Sequence, residues 1–281
     1  MSTDASRSLL SGTPLRLVVG FILLVNGLFP ALWILLTSLK LEPELTRTPI
    51  TWLPAQPTLH NYVQAFSDQP LLKFLFNSFM VALLSTAATL LVSVLAAYAL
   101  ARLKLRFRDL ILSAIIAVST FPLVTLLVPL FEIMRALNLL NSWTALVLPY
   151  TALSLPICTL ILVSFFEGIP RDLENAAMID GCTRIGALFS VVVPLSMPGV
   201  VTAGILAFVN AWDEFLLALS FNSSPALRTL PVGIQLYQGE FTFPWPVVSA
   251  ALVVGIVPIA ILIVIFQERV VSGLTSGGMK G

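Results

Sequence analysis

Few side chains in this 281-residue sequence can do chemistry, and the polar ones that matter gather in two short stretches. One is NAWDE, Asn210 to Glu214, in which an amide, an indole and two carboxylates stand almost side by side. Amides and carboxylates pair with a polar solute, and an indole offers it a flat face. The other is RDLENAAMIDG, Arg171 to Gly181, polar and helical in pattern between two long apolar runs. Neither reads as a catalytic centre. No nucleophile stands at a sensible spacing from a base, and GxxxxGK[ST] does not occur, SGGMKG at the end of the chain being no substitute. Cys158 and Cys182 have no metal-ligand spacing and no reason to bridge. The lone His60, in TLHNYV, reads as a solvated loop residue.

The elements that must carry these stretches are membrane helices. The chain is 58% hydrophobic and 10% charged, with a mean hydropathy of +0.98, whereas soluble domains carry about 25% charge. Six runs lack Asp, Glu, Lys and Arg: 17–39, 74–101, 110–131, 136–166, 185–212 and 241–267. A bilayer core needs about 20 apolar helical residues, so six transmembrane helices are expected, at approximately 17–39, 74–100, 110–132, 143–166, 195–220 and 247–267 of a single transmembrane domain, 1–281. The fifth is expected to continue past Asp213 and Glu214, because FLLALSF follows at once. The runs are too long and too uniformly apolar for barrel strands. A net charge of +1 excludes bulk attraction to nucleic acid. The N-terminal segment has no apolar core of its own and is not a cleavable signal.

Lys and Arg orient the spans. With the N-terminus inside, ten cations fall inside and five outside, and ARLKLRFRD puts four of the inner ones in one short loop. Both termini are therefore expected in the cytoplasm. The proline-rich segment 41–70 reads as an ordered, mostly irregular outer lid. Pro122 and Pro129 interrupt the third span, Pro149 and Pro156 the fourth, and Pro258 the sixth, as kinks or as the lining of a water-filled path.

This orientation puts GIPRDLENAAMIDG inside, between the fourth and fifth spans. Pro170 suits a helix start, and Asp172 and Glu174 favour that end. Leu173, Ala176, Ala177 and Asp180 share a face, Gly181 supplies a turn, and a second helix follows as CTRIGALFSVVV up to Pro194. The small-residue face fits a groove on a soluble partner. The other reading, a helix lying on lipid, lacks the large apolar face and the Lys/Arg band it needs.

ENAAMIDGC…VVVPLSMPG resembles the EAA signature of the binding-protein-dependent permease subunits of ATP-binding-cassette importers. The pattern falls on Asn175, Ala176, Ala177, Gly181 and Pro194; the family's Glu position is Asn175 here, with Glu174 one residue earlier. PLFEIMRALNLLNSW, AFVNAWDEFLLAL and the tail FQERVVSGLTSGGMKG are similar to the smaller, maltose-type permease of carbohydrate importers, so the likeness covers nearly the whole chain. It implies an all-α integral membrane protein of the bacterial plasma (inner) membrane, with the loop 168–194 as a coupling helix. Arg171, Glu174, Asn175, Ala176, Ala177, Asp180 and Gly181 would meet the ATPase. It implies import of di- or oligosaccharides, related glycosides or glycerol phosphates. The partners would be a second, homologous permease, two ATPase subunits, an extracytoplasmic sugar-binding protein and membrane lipid. No cofactor is expected in this chain, since ATP and Mg would be held by the ATPase subunits.

Asn210, Trp212, Asp213 and Glu214 are then either sugar contacts or groups that pair with a helix of the companion permease. Thr120, Asn138 and Asn141 are lesser candidates, and Glu132 reads as a helix-end or inter-subunit contact. The alternative is a secondary transporter driven by an ion gradient, in which Asp213 or Glu214 would titrate. It would need no cytoplasmic docking loop. A membrane scaffold with an adaptor loop would leave NAWDE unexplained.

Overall fold

The computed structural model describes residues 13–239 and 243–278. Arg7 and the Lys280–Gly281 end of the tail motif lie outside the described residues. Every regular element among them is helical. Among the described residues, those up to 69 and those within 236–256 form one compact unit, and those within 70–235 and from 257 onward a second.

The first unit contains α1 (Thr13–Ser38), α2 (Glu42–Leu45) and α3 (His60–Asp68), with the start of the last long helix, Trp245–Gly278. From Leu17 to Leu32 the described side chains of α1 are all exposed. A charge-free stretch of helix in that condition belongs in lipid or against another subunit. The segment expected to be irregular is pinned by specific bonds. Asn61 Nδ2 donates to the carbonyls of Ser38 and Lys40, both at 2.8 Å. Glu44 accepts from Thr51 Oγ1 and from the Ala55 N–H, each at 2.8 Å. The backbone N–H of Ala55 holds the Glu44 carboxyl below its ordinary pKa. Buried Lys40 donates to the Thr51 carbonyl and lies over the Trp33 ring at 5.1 Å. His60 is exposed, as expected, although it opens a helix.

The second unit is built on α4 (Leu71–Arg102), α5 (Arg108–Ser119), α6 (Leu123–Ala136) and α7 (Thr144–Glu167). Then come α8 (Arg171–Ile179), α9 (Arg184–Ala187), a π-helical turn at Leu188–Val192, α10 (Val193–Leu195) and α11 (Met197–Asp213). α12 (Leu216–Phe221) and α13 (Leu230–Ile234) follow, and α14 (Trp245–Gly278) closes the chain. α4, α7 and α11 pack together over a core that includes Ala97, Ala101, Cys158, Leu162, Phe166, Ala203 and Ala207. Small side chains let backbones approach where lipid supplies no hydrophobic drive. A Cβ at Gly199 would run into the Phe165 ring.

Four helices are long and apolar enough to cross a membrane by themselves: Leu17–Ser38, Leu71–Arg102, Thr144–Glu167 and Trp245–Gln267. The third and fifth expected spans are bent pairs. α5 and α6 meet at 95°, and Arg184–Leu195 meets α11 at 83°. The first break falls at Phe121–Pro122, where proline removes a donor and forces its predecessor out of the helical region. The fifth helix does not run on past Asp213. Glu214 is extended (φ −69°, ψ 126°), and α12 starts afresh beyond it.

Candidate functional site

α8 is short, and its ends explain why it forms. Pro170 precedes it in the extended region (φ −57°, ψ 131°), and Asp172 and Glu174 lie in its first turn. At its other end the Cys182 N–H donates to the Ala177 carbonyl at 3.0 Å and the Gly181 N–H to that of Met178 at 3.2 Å. That pair of bonds is a Schellman closure, and it requires a left-handed residue between. Gly181 supplies it, with φ +97°. Thr183 then caps α9, its Oγ1 accepting from the Gly186 N–H at 3.0 Å. The turn expected at Gly181 is therefore a rigid reversal between two capped helices.

The helix has two unlike faces. Asp172, Leu173, Ala176, Ile179 and Asp180 are exposed, Ile179 to 85%. Glu174 points the other way and is buried. Its carboxylate accepts from the Tyr98 hydroxyl and lies 3.3 Å from Arg102 Nε. Arg102 also donates to the Ile169 carbonyl at 2.9 Å, and Arg171 to that of Ala101 at 3.4 Å. A buried ion pair with hydroxyl and carbonyl partners fixes α8 to the end of α4. Of the residues named in advance, Ala176 and Asp180 stand on the outer face and Ala177 is half-buried. Arg171, Glu174 and Asn175 turn toward a cleft beneath the helix.

Tyr98 and Arg102 were not singled out from sequence. Their i, i+4 spacing at the charged end of a long apolar helix was the available signal.

The NAWDE residues separate in space. Trp212 is buried and stacks on Phe208 at 5.7 Å, so its face is occupied. Asp213 is exposed, and no ion pair engages it among the described residues. Asn210 and Glu214 line a cavity of about 240 Å³ with Tyr150, Leu153 and Ser154. Within it Glu214 accepts from the Tyr150 hydroxyl at 2.5 Å and from the N–H groups of Leu217 and Ala218 at 2.8 and 3.1 Å. Its carboxylate caps α12, which explains how an acid is kept at this depth.

The lesser candidates are helix and loop supports. Thr120 Oγ1 donates to the Ala117 carbonyl at 2.8 Å. Asn141, with φ +56°, accepts from Ser223 Oγ at 3.1 Å and the Ser224 N–H at 2.8 Å. Asn138 is also left-handed, with φ +54°. Glu132 pairs with Arg135 one turn on, at 3.5 Å.

Residues 89–276 match the family model described as the binding-protein-dependent transport system inner membrane component. The chain is 84% identical, over 100% of both sequences, to the sulfoquinovosyl glycerol transport system permease protein of Agrobacterium fabrum. It is 40% identical to the trehalose/maltose transport system permease protein of Thermococcus litoralis, over 94% of this chain and 96% of that one. Its fold matches a chain of a bacterial ABC transporter involved in the import of the acidic polysaccharide alginate, with a TM-score of 0.79, 20% identity, and coverage of 95% and 98%.

Proposed function

This chain belongs to the binding-protein-dependent inner-membrane transport family, as the multi-pass permease of a sugar ATP-binding-cassette importer, and from that premise we propose that α8 is the element through which ATP hydrolysis by partner subunits moves the pathway. The observation that carries the proposal is the two-faced α8. Its outer face offers Leu173, Ala176 and Ile179 between two aspartates, and its inner face is anchored to α4 by Glu174 and Arg102. An apolar face between two charges suits a groove on a soluble protein. An anchored inner face passes on a displacement that a loose loop would absorb.

In this reading the bent pairs α5–α6 and Arg184–α11 are the third and fifth of six spans, and both termini are cytoplasmic. The chain supplies half of the translocation pathway. A homologous permease supplies the other half, two ATPase subunits bind ATP and Mg beneath, and an extracytoplasmic binding protein delivers the solute. The chain itself is not an enzyme. ATP drives transport because it binds the closed ATPase pair better than the open one, and that difference biases the permease toward its outward-open state.

The solute we propose is sulfoquinovosyl glycerol, a glycerol glycoside whose sugar carries a sulfonate, because the full-length relative at 84% identity is named for it. Asn210 and the exposed Asp213 are the groups of NAWDE free to face a solute. The buried Trp212 and the capping Glu214 support them.

The test is ATPase activity of the assembled complex in lipid, with its binding protein and each of sulfoquinovosyl glycerol, maltose and trehalose. We expect stimulation by sulfoquinovosyl glycerol and its loss in Gly181→Val, whose β-branched side chain disfavours the left-handed turn. Stimulation by another sugar alone would overturn the solute assignment. Uptake by the permease with no ATPase bound, unaffected by Gly181→Val, would overturn the coupling role and favour a gradient-driven carrier.

A further inference from the structure

The inner face of α8 and the end of α4 enclose a cleft of about 590 Å³. Four cations line it, Arg102, Lys104, Arg171 and Arg184, against one carboxylate, Glu174. That carboxylate is already engaged by Arg102 and Tyr98. Among the described residues Lys104, Arg171 and Arg184 form no ion pair. These cations come from the last residue of α4 and the loop after it, the start of α8 and the first turn of α9, so folding alone brings them together. Like charges in a half-enclosed cleft repel one another, and an anion among them relieves that repulsion. Guanidinium groups pair with two oxygens at once, which suits a phosphate better than a lone carboxylate oxygen.

The depth of the cleft points to its occupant. α4 has 32 residues and ends at Arg102. At 1.5 Å per residue it is about 48 Å long, while a bilayer with its headgroups is about 40–45 Å thick. In the multi-pass reading α4 is thus long enough to cross the whole bilayer, headgroups included, and its cationic end lies at the membrane surface. Exposed apolar side chains follow the lining residues in the chain, Leu105 and Phe107 after Lys104 and Ile185 after Arg184. The outer face of α8 is opposite in character, with Asp172 and Asp180, and it is that face we assign to the ATPase.

We propose that the cleft is a phosphate site at the membrane surface, filled by the phosphodiester of an anionic phospholipid or by phosphate from solution. The multi-pass reading is the only part of the functional assignment on which this site rests. Its readout below is separate from transport and from ATPase stimulation.

The assembled transporter would be released for native mass spectrometry from bilayers of phosphatidylglycerol and phosphatidylcholine. The variant is Lys104→Gln/Arg184→Gln, two exposed cations that hold no described fold contact through their charge, and Lys104→Arg/Arg184→Lys is the conservative control. We expect the wild type to retain one phosphatidylglycerol per copy of this chain, the Gln variant to lose it, and the control to keep it. In pure phosphatidylcholine, binding of inorganic phosphate that the Gln variant abolishes would assign the site to the free ion. Retention of neither ligand, or equal retention by wild type and Gln variant, would overturn the proposal. Loss of the ATPase subunits from the Gln variant with lipid retention unchanged would also overturn it, and would give the cleft to the ATPase.

Discussion

Glu174 is the residue on which the placement of α8 turns. Its side chain is 9% exposed and that of Arg102 4%, so neither charge is relieved by water when the other is removed. Breaking such a pair costs about 3–5 kcal/mol, whereas replacing both members with apolar groups of similar volume is near neutral. Glu174→Leu should lower the thermal midpoint of the purified complex and its yield of bound ATPase. Glu174→Leu with Arg102→Met should recover most of the midpoint. A double variant as unstable as the single one would show that the pair is not the anchor. Tyr98→Phe removes one hydrogen bond to a charged group, worth about 1.5–3 kcal/mol, and should fall between wild type and Glu174→Leu in the same scan. Gly181 acts through its backbone alone, because a Cβ there would meet nothing within 4 Å. A non-glycine residue at its φ costs about 1–2 kcal/mol, so Asn should be tolerated better than Ala, and Ala better than Val. Equal ATPase binding by all three would refute that ordering.

At the scale of elements, the capping of α12 separates two acids that look alike in sequence. Glu214→Gln leaves one oxygen where two carboxylate oxygens now accept three bonds, and it should lower thermal stability and shorten the cap. Asp213→Asn should leave stability unchanged and alter the KM for the transported solute. The reverse pattern would exchange their roles. In the segment after α1, the Glu44 carboxyl has a folded pKa below its ordinary 4.5. Its charged form therefore stabilises the fold above the ordinary value, and that contribution is lost as pH falls through the lowered one. The stability gap between wild type and Glu44→Gln should thus close on acidification; a gap that widened would contradict the Ala55 contact. Most of the long helices were legible in the sequence, because a charge-free run longer than the hydrocarbon core admits little else. The bend at Pro122 was only half legible: the proline was visible, but a 22-residue apolar run reads as one rod. The Tyr98–Glu174 contact spans 76 positions and was invisible for that reason, since each partner had a sufficient local explanation. Glu174 read as a favourable charge at a helix N-terminus, and Arg102 as one of several cations that orient a loop.

For the whole molecule, the two cysteines are natural reporters. Cys182 is exposed directly after Gly181, and Cys158 is buried in the α4–α7–α11 core. A membrane-impermeant maleimide should label Cys182 and spare Cys158. Labelling should occur from the cytoplasmic side only, and addition of the ATPase subunits should slow it. Labelling from the outer side would invert the proposed topology, and labelling indifferent to the ATPase would place docking elsewhere. The π-helical turn at Leu188–Val192 gives the molecule one further property. Such a turn is an α-helix holding one extra residue, and each residue of an α-helix advances the chain by about 100°. The wider i→i+5 turn absorbs that residue, so α9 and the segment that enters α11 keep the phase of an unbroken helix. Deletion of a single residue from 188–192 would relax it to regular helix with every side chain of α8 intact. The outer face of α8 would then keep the direction in which Leu173 and Ile179 now look, whereas the same deletion within regular helix would carry it about 100° around the axis. At the π turn the chain can lose a residue and keep its aim.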